Sequence, residues 1–207
     1  METTLTKPAN GTTLPEPVWE IATLFPDQGQ WSEEEYLGLG TNRLVEFSDG
    51  TLEVLPMPTQ THQTIVFLLS RLLYAFASTK AVGYVLPAAL RVRLWEGKYR
   101  EPDVVFMLSE HASRRHESYW EGADLVMEVV SNSPEDRRRD LVTKRREYAQ
   151  AGIPEYWIVD PQSQTVTVLG LDGRGYVEGG LYGQGETAQS VLLPEFAVAV
   201  NEIFNIA

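Results

Sequence analysis

Residues 124–130, DLVMEVV, are apolar throughout except for Asp124 at the start and Glu128 near the middle. A run of this kind is a strand covered on both faces. Ser133 and Pro134 then give a helix start, Glu135 and Asp136 suit its first turn, and Gly152 suits its end, which predicts a helix over residues 134–151. EYWIVD follows as a second buried strand. Strand, helix and strand over residues 124–160 must cross over right-handed into a parallel pair, so the chain is committed to an α/β layout with both sheet faces covered.

The remaining segments fit that layout. Ser32 and Glu35 in WSEEEYLGL form a capping box, and Asp49-Gly50 between RLVEF and TLEVL signals a hairpin. Apolar residues recur at helical spacing from Thr61 to Ser78 (Ile65, Leu68, Leu69, Leu72, Leu73, Phe76). VGYVLP, ALRVRLW and DVVFML read as strands, and the polar residues 109–122 as a loop or short helix. TVTVL, a glycine-rich stretch around 172–185, SVLLP and a terminal helical segment complete the chain. The expected fold is α/β, a mixed sheet flanked by helices with an N-terminal hairpin. Prolines at 8, 15, 17 and 26 suggest an extended arm over residues 1–30, leaving residues 31–207 as one domain.

Composition narrows the chemistry. With no cysteine and only three histidines, thiolate metal sites and cysteine nucleophiles are excluded, and a hard cation on oxygen ligands fits best, Mg²⁺ or Mn²⁺. No stretch reaches the roughly 20 apolar residues of a membrane helix, and no basic segment leads into an apolar run near the start, so a soluble, cytoplasmic protein is expected. A net charge of −12 argues against a surface coated for nonspecific phosphate binding. Six of the seventeen basic residues nevertheless fall between Arg137 and Arg146. Arg137, Arg138, Arg139 and Arg145 are candidates for nucleic-acid contacts; because Glu135, Asp136, Asp140 and Glu147 interrupt the run, a solvated helix face with internal ion pairs is the bland alternative.

Glu128 is the strongest site candidate, since an unpaired carboxylate inside an apolar strand costs several kcal/mol. Asp103 opens a strand after Pro102; on adjacent strands about 4.8 Å apart the two carboxylates can share one divalent cation. The structural alternatives are an ion pair of Glu128 with Arg91 or Arg93, and Asp103 capping a backbone amide. Glu46 and Glu53 on the hairpin are further carboxylate candidates, with the alternative that hairpin residues facing outward meet water. Tyr148, Tyr156 and Trp157 read as core, and Asp160 as shaping the turn before Pro161.

REPDVVFM, DLVMEVVSNSPEDRRRDLVTKRREY and AGIPEYWIVDP, with FSDGTLEVLPMPTQTHQ upstream, resemble the Uma-type restriction endonucleases, a branch of the PD-(D/E)XK nuclease superfamily. The resemblance spans about residues 32–205. It implies a nuclease-like fold in which Asp103 and Glu128 are catalytic metal ligands. Val130 stands where the superfamily places its lysine; relatives in this branch carry one on the following helix, which corresponds to Lys144. A lysine there could orient or help deprotonate water and offset charge on the phosphate, although snorkelling explains the position equally well. The histidine of PMPTQTH brings in His62 as a possible contact to metal, water or phosphate, against a capping or surface role.

Two functions follow. One is a metal-dependent endonuclease acting on DNA, expected by analogy to be a homodimer. The other is a catalytically inactive nuclease-fold module for nucleic-acid or protein binding, favoured by Val130 and the acidic charge.

Overall fold

The computed structural model describes residues 25–41 and 43–205. Most of the expected arm therefore lies outside the described residues. Helix α1 (Glu33–Leu37) opens with the full capping box: Ser32 Oγ accepts from Glu35 N–H, and the Glu35 carboxylate accepts from Ser32 N–H. Strands β1 (Val45–Ser48) and β2 (Thr51–Val54) form the expected hairpin, followed by α2 (Gln60–Lys80) and β3 (Gly83–Pro87). Next come β4 (Val92–Trp95), β5 (Lys98–Arg100), β6 (Val104–Leu108), a 3₁₀ turn (Ser109–Arg114), β7 (Trp120–Glu121) and β8 (Leu125–Val129). The predicted helix over 134–151 consists of α3 (Pro134–Arg138), a π-helical turn (Arg139–Thr143) and α4 (Lys144–Gln150). Strands β9 (Glu155–Asp160), β10 (Thr165–Asp172), β11 (Gly175–Tyr182), β12 (Thr187–Gln189) and β13 (Ala197–Ala199) precede α5 (Val200–Phe204).

The main sheet has six strands in the order β11-β10-β9-β8-β6-β3, and only β8 and β9 run parallel, as the crossover requires. Ile65, Leu69, Leu73 and Ala77 of α2 cover one face, meeting Val104, Phe106, Leu125 and Met127. Residues of opposite parity, Val105, Met107 and Val126, pack on the other face with Tyr148 of α4. Tyr148, Tyr156 and Trp157 are fully buried, as expected.

The hairpin does not extend this sheet. It opens a second, five-stranded sheet, β2-β1-β5-β4-β7, with its own small core of Tyr36, Val45, Phe47 and Tyr99. β5 has no counterpart in the sequence reading, because Lys-Tyr-Arg is too short and too charged to show a period. The glycine-rich stretch also differs from a simple connector: β11 pairs along β10 with one register shift between Val168 and Leu169. At Gly179 a Cβ would come within 2.8 Å of Val191 Cγ2, so glycine there permits close packing.

The hairpin's turn is tightly built and packs against residue 29. Asp49 and Gly50 both have positive φ, 47° and 80°, the geometry of a tight two-residue turn. A Cβ at Gly50 would also meet Gly29 O at 2.6 Å, where Gly29 N–H donates to Gly50 O at 2.8 Å. Gly50→Ala is therefore expected to cost roughly 1–3 kcal/mol in chemical denaturation, combining left-handed strain with displacement of residue 29; unchanged stability would contradict this account of the turn.

Candidate active site

Four elements deliver acidic side chains to one place. Val104 pairs with Met127 across β6 and β8, so one step beyond that pair Asp103 stands opposite Glu128 on the face covered by α4. Asp103 Oδ2 accepts from Val129 N–H at 2.8 Å, and Asp103 Oδ1 lies 3.0 Å from His62 Nε2. The amide-capping alternative for Asp103 is thus present together with its place in the cluster. Glu46, flanked by Val45 and Phe47 of the small core, points the other way, towards the main sheet, and is fully buried. Its hairpin neighbour Glu53 is half exposed.

Lys144 sits among these groups with 2% of its side chain exposed. Its Nζ lies 2.9 Å from Glu128 Oε1, 3.4 Å from Glu46 Oε1 and 3.5 Å from Asp140 Oδ1. The snorkelling alternative does not hold, since the ammonium ends in a buried carboxylate cluster rather than in water. Glu128 pairs with neither Arg91 nor Arg93: those guanidinium groups lie against Glu101 and against Glu33 and Glu121. Instead Tyr148 Oη donates to Glu128 Oε1 at 2.5 Å, a role beyond the expected core packing.

Electrostatics separate the members. For Lys144, burial disfavours the charge, but Glu128, Glu46, Asp140 and Asp103 outweigh it and hold the ammonium protonated. At Glu128, burial and the charges of Asp103 and Asp140 push the carboxyl up against the pull of Lys144 and Tyr148, because one ammonium cannot serve every acid around it. Burial also works against ionised Glu46, yet Lys144, Arg100 and Arg139 hold it down at about 2. The His62 imidazole is raised: burial opposes its charge, and the Asp103 hydrogen bond and charge prevail.

Asp140 escaped the sequence reading. The π turn places it one turn before Lys144; it is 3% exposed, and its Oδ1 lacks a hydrogen-bond donor among the described residues. Helical spacing at 140 and 144 was visible, but a charged run offered no way to tell this acid from its neighbours. Arg100 was missed with its strand. It stands directly across β1 from Glu46, donates to that carboxylate, and also donates to Glu147 at 2.8 and 3.0 Å.

The arginine candidates disperse. Arg137 grips Asp160 at 3.1 and 2.7 Å, and Arg139 reaches Glu53 at 3.0 Å and Asp136 at 2.8 Å. Arg145 donates to Tyr176 O at 3.3 Å, on the β11 side of the helix, and Arg138 is exposed. The structure therefore unites Asp103, Glu128, Lys144, His62 and Glu46, and brings Arg139 and Glu53 to their edge.

Asp103, Glu128, Asp140, Lys144, His62 and Arg139 line a recess of about 40 Å³, room for an ion with a water or two. An oxygen-rich donor set, in which, among the described residues, Asp140 Oδ1 accepts no hydrogen bond and has only the Lys144 and Arg139 cations 3.5 and 3.7 Å away, suits a hard divalent cation. Among the described residues, no three acidic or histidine side chains are already drawn into a metal-ligand cluster.

Because Glu46 is held down at about 2 against an ordinary 4.5, its contribution to stability is present above about pH 4.5 and is lost as pH falls towards 2. Thermal melting of the wild type should therefore fall over that window, and Glu46→Gln should flatten part of the fall while melting lower at neutral pH. An identical acid profile in the variant would contradict the pairing.

Comparison with known proteins bears on the fold and the family. A crystal structure described as a putative nuclease belonging to DUF820, from Anabaena variabilis, superposes with a TM-score of 0.68 at 16% identity, covering 84% of this chain and 98% of that one. At that identity the likeness establishes the fold. No curated protein matches the chain. Also among the described residues, no helix is long and apolar enough to cross a membrane. Residues 27–201 match the family described as "Uma2: Putative restriction endonuclease", and the chain belongs to that family.

Proposed function

We propose that this protein is a metal-dependent endonuclease hydrolysing phosphodiester bonds in DNA, with Asp103 and Glu128 holding Mg²⁺ or Mn²⁺. The observation that carries the reading is the convergence of those two carboxylates and the buried Lys144 ammonium on one recess. Bound there, a divalent cation would supply Lewis-acid polarisation of the phosphate and make a water more acidic.

The chain's own groups divide the rest. Lys144, its ammonium 2.9 Å from Glu128, offsets negative charge developing on the phosphate. Glu46 and Asp140 fix the ammonium, while Tyr148 fixes Glu128. His62 orients Asp103 from the rim of the recess, where it can also meet the incoming strand. Of the four arginine candidates, Arg138, exposed near the start of the helix, is the one left to contact a phosphate. The noncatalytic reading draws on Val130 and on the lack, among the described residues, of a preassembled three-donor cluster. It predicts nucleic-acid or protein binding without cleavage.

Cleavage assays separate the two. Asp103→Asn and Glu128→Gln should each lower turnover at least about 100-fold, with partial recovery at raised Mn²⁺. Lys144→Ala should lose a similar factor without recovery, and should also lose roughly 3–5 kcal/mol of stability because buried carboxylates are left uncompensated. Folding is checked by circular dichroism, and Arg145→Ala, on the β11 side, should cleave like the wild type. Binding with no cleavage under Mg²⁺ or Mn²⁺ selects the module; cleavage that survives Lys144→Ala in a folded protein removes the lysine from the mechanism.

A further inference from the structure

Beside the recess, and sharing His62 and Ser131 with it, lies an open cleft of about 640 Å³. It runs between the β2–α2 connection, the residues following β8 and the turn after β9. Its wall is unlike a duplex-binding surface. Among the described residues no lysine or arginine lines it, its charged residues are His62 and Asp136, and Arg138 and Arg139 stand instead in the adjoining cleft beyond Pro56 and Asp136. Prolines 56, 58 and 161 form apolar flanks, and Met57 stands out with 74% of its surface exposed. Asn132 and Gln162 contribute amides.

These features discriminate between forms of a DNA substrate. Asp103 and Glu128 are 8% and 3% exposed and line a recess of about 40 Å³ that an ion and a water or two would fill, so a phosphodiester must be brought to its mouth rather than pass over a flat face. An intact duplex keeps its bases stacked inward and is held mainly through phosphate contacts by cations, which this wall does not offer. An unpaired strand can bend in and present a base. The cleft falls within the roughly 300–1,000 Å³ of small-molecule sites. A polarisable methionine sulfur and proline rings suit the flat face of a base, and side-chain amides can donate to and accept from its edge.

Resting on the nuclease reading above, we propose that this cleft takes an unpaired nucleotide of DNA, its base against Met57 and the prolines, so that the neighbouring phosphodiester reaches Asp103 and Glu128. The enzyme then acts on single strands, or on loops within a duplex where unstacking is already complete.

The test uses the full chain, Mn²⁺ and end-labelled DNA of one sequence in three forms: single strand, perfect duplex, and duplex with an internal unpaired bubble. Single strand and bubble should be cut at least about 10-fold faster than duplex, with bubble cuts confined to the loop. Met57→Glu, on an exposed residue that folding does not need, should raise KM for the single strand several-fold with kcat little changed. Equal or faster cutting of the perfect duplex overturns the cleft assignment while leaving the nuclease reading intact, as does a Met57→Glu protein with unaltered KM. If no form is cut, the nuclease reading falls and this inference with it.

Discussion

A fully buried ammonium must be surrounded by acceptors, and at Lys144 those acceptors come from distant parts of the chain. Glu46 arrives from β1 of the small sheet, Glu128 from β8 of the main sheet, and Asp140 from the π turn one step back along the same helix. Arg100 extends the network by joining Glu46 to Glu147 of α4, and Lys98 lies 2.8 Å from the same Glu147 carboxylate. Two sheets and the crossover helix are thus tied through one set of charges. Breaking such a set by removing one partner is costly, roughly 3–5 kcal/mol in comparable buried pairs, because the remaining charges stay desolvated.

The π turn over Arg139–Thr143 is the local device that makes this arrangement possible. Single π turns inside α-helices recur at functional sites because they shift the register of the following residues. Here the shift lies between Asp140 and Lys144, with Tyr148 one turn further on, and all three meet the face of β8 that carries Glu128. The cluster is built on β1, β8 and the crossover helix, with Asp103 in the residue just before β6, so its groups are held by the fold itself. The open cleft beside it is made from connections instead, where variation costs the core little.

Much of this was legible in the sequence because the signals were local. The Asp-Gly turn, the Ser32–Glu35 capping box and the Ser133-Pro134 helix start each depend on a few adjacent residues, and the parallel β8–β9 pair follows from the order strand, helix, strand. Glu128 was conspicuous because its neighbours are apolar. What could not be read depends on partners far away in the chain. Glu46 and Glu53 look alike on a hairpin, yet one is buried against Arg100 and the other half exposed beside Arg139. Asp140 was hidden in a charged run, and the arginines of that run looked available for phosphate until Asp160, Glu53 and the Tyr176 carbonyl were seen to occupy three of them. A three-residue strand such as β5 is too short for any period to register.

The central claim is that Asp103 and Glu128 form a divalent-cation site beside a fixed ammonium. Crystals soaked in Mn²⁺ and measured at the manganese absorption edge test it most directly. The account predicts an anomalous peak within about 2.1–2.3 Å of oxygens from both Asp103 and Glu128, with the Lys144 side chain beside it and the peak absent in Glu128→Gln. A well-occupied crystal with no peak in that recess, or with manganese only at surface carboxylates, would contradict it.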